Sequence, residues 1–284
     1  QEIPGIGPIT GFTPTPEWSV TFAGEVRNLK PETRIDPKWI TRMDRFSVFG
    51  MCAAEEAVAD SGMDFTKGDP YRYGVAIGSG IGGIDTIETG LRKLIERGPR
   101  SVSPFVVPKL MVNALAGNVS IRFGLRGANI APATACATGS HAIGAAYHML
   151  QRGDADVVVA GGSEGAVTPF CIGSFAVMKA LSTRNDAPTK ASRPFDRDRD
   201  GFVLAEGAGI LVLEELEHAK KRGAKIYGEI LGYGSTGDAF HITAPDGDGR
   251  GAQKAMELAI REAELNPDQI GYIINVTLRP TYNF

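Results

Sequence analysis

Residues 157–160, Val-Val-Val-Ala, are apolar at every position, and the run is too short for a helix. A strand with one wet face alternates apolar and polar side chains. A strand with no polar position must be covered on both faces, as in a parallel sheet layered by helices. Other segments repeat the pattern. Tyr73 to Gly78 reads as a strand, Leu211-Val212-Leu213-Glu214 as a second run of the covered type, and Ile226 to Tyr233 and Ile270 to Thr277 as further strands. Between them lie helix patterns. Phe46 to Asp60 is stopped by Gly62. Asp85 to Arg97 has Asp85 as N-cap, Glu88 three residues on and Gly98 beyond its end. Residues 137–151 are closed by Gly153, Glu215 to Lys221 is charged, and Gly251 to Leu265 follows. Strands alternating with helices predict an α/β chain with mostly parallel pairing. Residues 182–201 are polar and Pro-containing and read as a long ordered loop.

Composition sets bounds on function. The chain has 284 residues, 43% of them hydrophobic, enough for one large or two smaller cores. A net charge of −3 argues against a general nucleic-acid binder. Three cysteines, at 52, 136 and 171, form neither a metal spacing nor a disulfide framework, which points to a reducing compartment. No apolar run approaches ~20 residues and no signal-peptide pattern is present, so a cytoplasmic protein without a membrane span is expected.

One thiol has an unusual setting. Ala133-Thr134-Ala135-Cys136-Ala137-Thr138-Gly139-Ser140-His141 joins an apolar segment, Ala128 to Ala131, to an Ala/Gly-rich helix. Residues 128–131 read as the end of a buried strand. A sharp strand-to-helix turn exposes the residue at its tip, and a helix N-terminus favours thiolate over thiol. Cys136 is therefore a candidate nucleophile. From residue type alone a buried structural cysteine stays open.

Three other motifs compete. Gly78-Ser79-Gly80-Ile81-Gly82-Gly83 satisfies the dinucleotide pattern after a strand, but the acidic residue expected at the end of the next strand is missing; close backbone packing is the alternative. Gly161-Gly162-Ser163-Glu164-Gly165 satisfies the serine-hydrolase elbow, with Pro169 and Gly173 interrupting the helix that should follow; Ser163 is the alternative nucleophile. Asp196-Arg197-Asp198-Arg199-Asp200-Gly201 copies half of a calcium loop, yet position 207 is Gly and Pro194 precludes the entering helix, so a network of ion pairs is expected instead.

Residues 133–144 resemble the active-site segment of the elongating 3-oxoacyl-[acyl-carrier-protein] synthases, the beta-ketoacyl-ACP condensing enzymes of the thiolase superfamily. Ala191-Ser192-Arg193-Pro194-Phe195-Asp196, Gly201 to Gly209, Asn118 to Gly127, Gly153 to Gly162 and Ala180 to Asn185 carry the same resemblance, which is nearly continuous from about residue 5 to about residue 274. It implies a thiolase-like fold, layered α-β-α-β-α. Residues 1–223 would form the half that carries the nucleophile. Residues 224–284 would begin the second half, incomplete in this chain. It implies that Cys136 captures an acyl group from acyl carrier protein, and that malonyl-carrier protein then loses CO₂ and attacks the thioester. No metal or cofactor is implied, since the substrates carry phosphopantetheine on the carrier protein.

The two histidines that assist decarboxylation in the family would follow residue 274, where this chain departs from the pattern. The four histidines present, at 141, 148, 218 and 241, match neither. His141 and His148 read as packing residues, and this 284-residue chain is expected to be inactive in full condensation. The resemblance also places Met111 and Phe175 at the acyl pocket, Lys179 and Arg184 at a basic rim for the carrier protein, and residues 128–135 at a strand paired across a homodimer. A catalytically dead carrier-protein-binding subunit and a thiolase are the remaining alternatives.

Overall fold

A computed structural model of the chain describes residues 5–270. Its strands are β1 (Ile6–Pro8), β2 (Phe22–Gly24), β3 (Tyr73–Gly78), β4 (Asn129–Ile130), β5 (Val157–Glu164) and β6 (Gly207–Glu214). Its α-helices are α1 (Pro37–Ile40), α2 (Arg45–Ser61), α3 (Ile84–Arg97), α4 (Val106–Leu110), α5 (Ala114–Phe123), α6 (Thr138–Gln151), α7 (Pro169–Val177), α8 (Leu216–Lys221) and α9 (Arg250–Glu262). The main sheet runs β4-β3-β5-β6; β3 pairs parallel with β4 and β5, and β6 lies antiparallel to β5. Strands β1 and β2 form a separate antiparallel pair.

The apolar run at β5 is covered on both faces, as expected, and so is β3. Val75, Ile77, Val157 and Val159 point into one cluster with Phe46, Met51 and Ala54 of α2 and Leu115 and Val119 of α5. Ala76, Val158 and Ala160 point the other way, against Ala146 and Met149 of α6. The α6 face is built from small residues, so this helix lies close to the sheet. A Cβ added to Gly162 would come within 3.1 Å of Gly139 Cα.

Four expectations need correction. Leu211–Glu214 is not covered on both faces: among the described residues β6 is an edge strand, and Leu211 is 48% exposed. Residues 128–131 contribute only the two-residue β4, half exposed at the opposite edge. Ile226–Tyr233 forms no strand, because no ladder partner lies beside it among the described residues. It is held instead by side chains, through Tyr147 Oη donating to Leu231 O (3.1 Å) and Tyr233 N donating to Glu262 Oε2 (2.7 Å). The strand expected at Ile270–Thr277 lies, beyond its first residue, outside the described residues.

The fourth correction concerns the start of α3. Asp85 does not cap it; the helix begins at Ile84 after Gly83, with no local side-chain cap. A distant carboxylate takes over. Asp44, which caps α2 through Phe46 N (3.3 Å), also accepts from Thr86 N (2.9 Å) and Thr86 Oγ1 (2.6 Å). One buried Asp thus satisfies the first turns of two helices, which ties α2 to α3.

Gly161 sits mid-strand with φ +149°, and a Cβ there would overlap the Gly209 carbonyl oxygen on β6. Gly161→Ala is expected to destabilise the fold by at least about 2 kcal/mol. Gly117→Ala in α5, where a Cβ meets nothing within 4 Å, is expected to stabilise it by roughly 0.5–1 kcal/mol. Urea midpoints of the two variants measured together check both, and equal midpoints would discount the β5–β6 contact.

Candidate active site

Strand β3 ends at Gly78, where a Cβ would overlap Pro132 O and Thr138 Cγ2. The segment leading to α6 therefore presses directly on the carboxyl end of a parallel strand, the usual location of sites in open α/β sheets. The chain turns there in a 3₁₀ turn, Ala135–Ala137. Ala135 has φ +51°, a left-handed conformation that an alanine adopts at a cost of about 1–2 kcal/mol. Thr138 holds the turn. Its buried hydroxyl accepts from Thr134 N (2.8 Å) and donates to Ala135 O (2.6 Å). Cys136 stands at the tip, exposed, while Cys52 and Cys171 are buried. The expected presentation of the thiol is thus present, and its backbone cause is Ala135.

The expected electrostatics are not. Desolvation by the surrounding chain pushes the Cys136 thiol above its ordinary value. Its backbone N–H favours the thiolate, but the charge of Glu164 works against it. Both effects, burial and charge, oppose the thiolate that a helix N-terminus favours.

Glu164 is the residue that the motif reading passed over. It ends β5, and the Gly-rich loop after β3 wraps its carboxylate. Ser79 Oγ donates to Oε1 (2.9 Å), while Gly80 N (2.8 Å) and Ile81 N (3.2 Å) donate to Oε2. The amides that a dinucleotide reading would give to phosphate are already used. Burial nonetheless raises the Glu164 carboxyl above its ordinary value, against the pull of these hydrogen bonds. The signal in the sequence was a single acidic residue closing a strand otherwise apolar or small.

Ser163 is excluded as a nucleophile. It lies inside β5, buried, and its Oγ donates to Phe46 O (2.6 Å) and Gly207 O (3.3 Å). No elbow follows it, and Pro169 opens α7 rather than blocking it, with Thr168 as cap. The Asp196–Gly201 segment is only partly an ion-pair network. Arg197 pairs with Asp198 (3.3 Å), but Arg199 bonds the Asp196 carbonyl and Asp200 accepts from Ser182 Oγ (2.7 Å) and Thr183 N (3.0 Å). Among the described residues no group of His, Cys, Asp and Glu could hold a metal ion.

The remaining candidates have the following surroundings. Met111 follows α4, and its neighbour Leu110 accepts from Gly83 N (3.1 Å), which links that segment to the Gly-rich loop. Phe175 on α7 packs edge-on against Phe202, with ring centroids 5.5 Å apart. Lys179 is exposed and Arg184 half-buried, on either side of the buried Ala180–Ser182. His141 Nδ1 lies 2.6 Å from Thr134 Oγ1, and its Nε2 lies 3.3 Å from Ser235 Oγ. His148 packs edge-on against Tyr233, His218 bonds Glu214 (2.5 Å), and His241 accepts from Thr243 N (3.2 Å) and Ala244 N (3.1 Å).

Residues 14–219 match the model of the beta-ketoacyl synthase N-terminal domain, and residues 227–276 match that of the C-terminal domain. The chain belongs to the beta-ketoacyl synthase family. It is 55% identical to 3-oxoacyl-[acyl-carrier-protein] synthase 2 of Vibrio cholerae over 91% of this chain and 63% of that protein. The Staphylococcus aureus protein of the same name is 49% identical over 95% and 66%. A beta-ketoacyl synthase crystal structure from Burkholderia phymatum superposes with a TM-score of 0.84 at 35% identity, covering 94% of this chain and 65% of that one. A type II PKS acyl-carrier protein in complex with its ketosynthase gives 0.83 at 32% identity, over 94% and 64%. The chain thus spans just under two thirds of the length of these relatives. The thiolase-like α/β fold of these synthases is the fold of this chain.

The state of the thiol in this synthase fold is measurable. Alkylation of Cys136 is expected to rise with pH about a midpoint above that of a free cysteine peptide measured alongside. A midpoint below the peptide's would mean that the helix terminus prevails over burial. Cys52 and Cys171 serve as buried references in the same intact-mass experiment.

Proposed function

We propose that this chain carries the acyl-capturing part of an elongating beta-ketoacyl-ACP synthase of fatty acid biosynthesis. The observation that supports it most is an exposed cysteine on a left-handed elbow at the carboxyl ends of β3 and β5, within a member of this family. In this reading the Cys136 thiolate attacks the thioester carbonyl of an acyl group on acyl carrier protein. A C–S bond forms, and the phosphopantetheine thiol leaves and takes up the proton. The Cys136 backbone N–H faces the oxyanion of the tetrahedral intermediate. In the second half-reaction malonyl-carrier protein loses CO₂, and its carbanion displaces the cysteine to give the 3-oxoacyl product.

The proposal extends to the surroundings of the thiol. Met111 and Phe175 line the acyl pocket, and Lys179 and Arg184 receive the acidic carrier protein. Residues 1–223 form the nucleophile half and residues 224–284 the beginning of the second. A homodimer through the β4 edge fits an exposed strand whose outer side has no partner among the described residues. Three free cysteines fit a cytoplasmic location. No described helix is long and apolar enough to cross a membrane.

Intact mass after incubation with an acyl-carrier-protein thioester should show an acyl adduct. The adduct should disappear in Cys136→Ala and persist in Ser163→Ala. A folded wild-type chain without an adduct would turn the reading toward a binding subunit.

Charge reversal at both Lys179 and Arg184 should raise the apparent KM for a carrier-protein donor by about tenfold and leave a short thioester analogue unaffected. Equal loss with both donors would refute the docking role.

A further inference from the structure

We propose that Glu164 is a positioning residue for Cys136: its carboxylate fixes the Ser79–Gly82 loop, and that loop braces the left-handed Ala135 peptide from which Cys136 is presented. This deepens the reading of Cys136 as nucleophile and rests on it. Three donors from consecutive residues converge on the one carboxylate. Ser79 is used twice, since its Oγ also accepts from Gly82 N (2.9 Å), and its side chain is buried. The far side of the loop is fixed by Gly83 N donating to Leu110 O (3.1 Å). The near side lies against the elbow. A Cβ on Gly80 would sit 2.8 Å from Glu164 Oε2 and 3.3 Å from Ala135 O. The loop therefore lies between carboxylate and elbow, and a side chain at Gly80 would crowd both. A strained Ala135 persists only where its surroundings over-determine it, and Thr138 on one side and this loop on the other supply that constraint.

Charge gives the proposal a signature that a purely structural role would lack. The Glu164 charge raises the thiols of both Cys136 on the elbow and Cys171 on α7, and it is the one charge found acting on Cys136 among the described residues. Glu164→Gln keeps the size, the acceptor for the two amides and a hydrogen bond to Ser79, but removes the charge. Glu164→Ala removes the brace.

The test is the pH profile of Cys136 alkylation by iodoacetamide in the 284-residue chain, with folding checked by circular dichroism. In Glu164→Gln the midpoint should fall, and the high-pH plateau rate should stay within about twofold of wild type. In Glu164→Ala the plateau should change by about tenfold as the elbow relaxes, with Ser79→Ala intermediate. If Glu164→Ala does not fold, Glu164→Gln and Ser79→Ala decide the question. Midpoints and plateaus equal to wild type in the folded variants, whatever their melting temperatures, would overturn the proposal. Acylation by a carrier-protein thioester is scored separately. Its loss in wild type, with the alkylation pattern intact, sinks the synthase reading and leaves the positioning role supported. Intact acylation with unchanged alkylation profiles sinks the positioning role alone.

Discussion

The close approach of α6 to the sheet is the constraint on which the site depends. A Cβ on Gly78 would overlap Pro132 O and Thr138 Cγ2, and one on Gly162 would press to 3.1 Å from Gly139 Cα. A Cβ at Gly78 would push the segment leading into α6 off the strands. The elbow would then lose its backing, and Ala135 would have no reason to remain left-handed. The small residues of β3, β5 and α6 are therefore tied to chemistry as well as packing. They bring the Cys136 backbone onto the carboxyl ends of two parallel strands.

A second set of interactions keeps those strand ends in place. Asp44 satisfies the first turns of both α2 and α3. Next to it, Arg45 forms a bidentate pair with Glu206 (2.7 and 2.5 Å), and Glu206 also accepts from Val26 N (3.0 Å). The Glu206 side chain is almost wholly buried. Such a pair is costly to break because a single buried charge would remain. Ser163 joins the same corner through Phe46 O. Residues that looked like separate motifs in the sequence are thus parts of one fastening between α2, α3, β5 and β6.

The site is polarised in an unexpected sense. Its candidate nucleophile sits at a helix start, yet burial first and the Glu164 charge second push the thiol above its ordinary value.

Much of this was legible in the chain itself. The apolar run without a polar face dictated a covered strand at 157–160, because only a sheet layered by helices hides both faces, and 73–78 was legible as a strand beside it. Gly62, Gly98 and Gly153 marked helix ends, because each lies at positive φ that other residues avoid. The elbow at Cys136 followed from an apolar segment meeting an Ala/Gly-rich helix. What the sequence left open depended on distant partners. Asp85 looked like a cap, but Asp44, some forty residues earlier, reached the free amides first. Ile226–Tyr233 has strand composition without a neighbouring strand, and Leu211 looked buried although β6 is an edge. The Gly-rich loop looked ready for phosphate until β5 delivered a carboxylate to it. Local pattern determined most of the elements and the candidate nucleophile, because dihedral preference and side-chain period act over a few residues. Only the tertiary structure decided which charges meet and what state the thiol adopts, because electrostatics and desolvation depend on groups that the chain brings together from far apart.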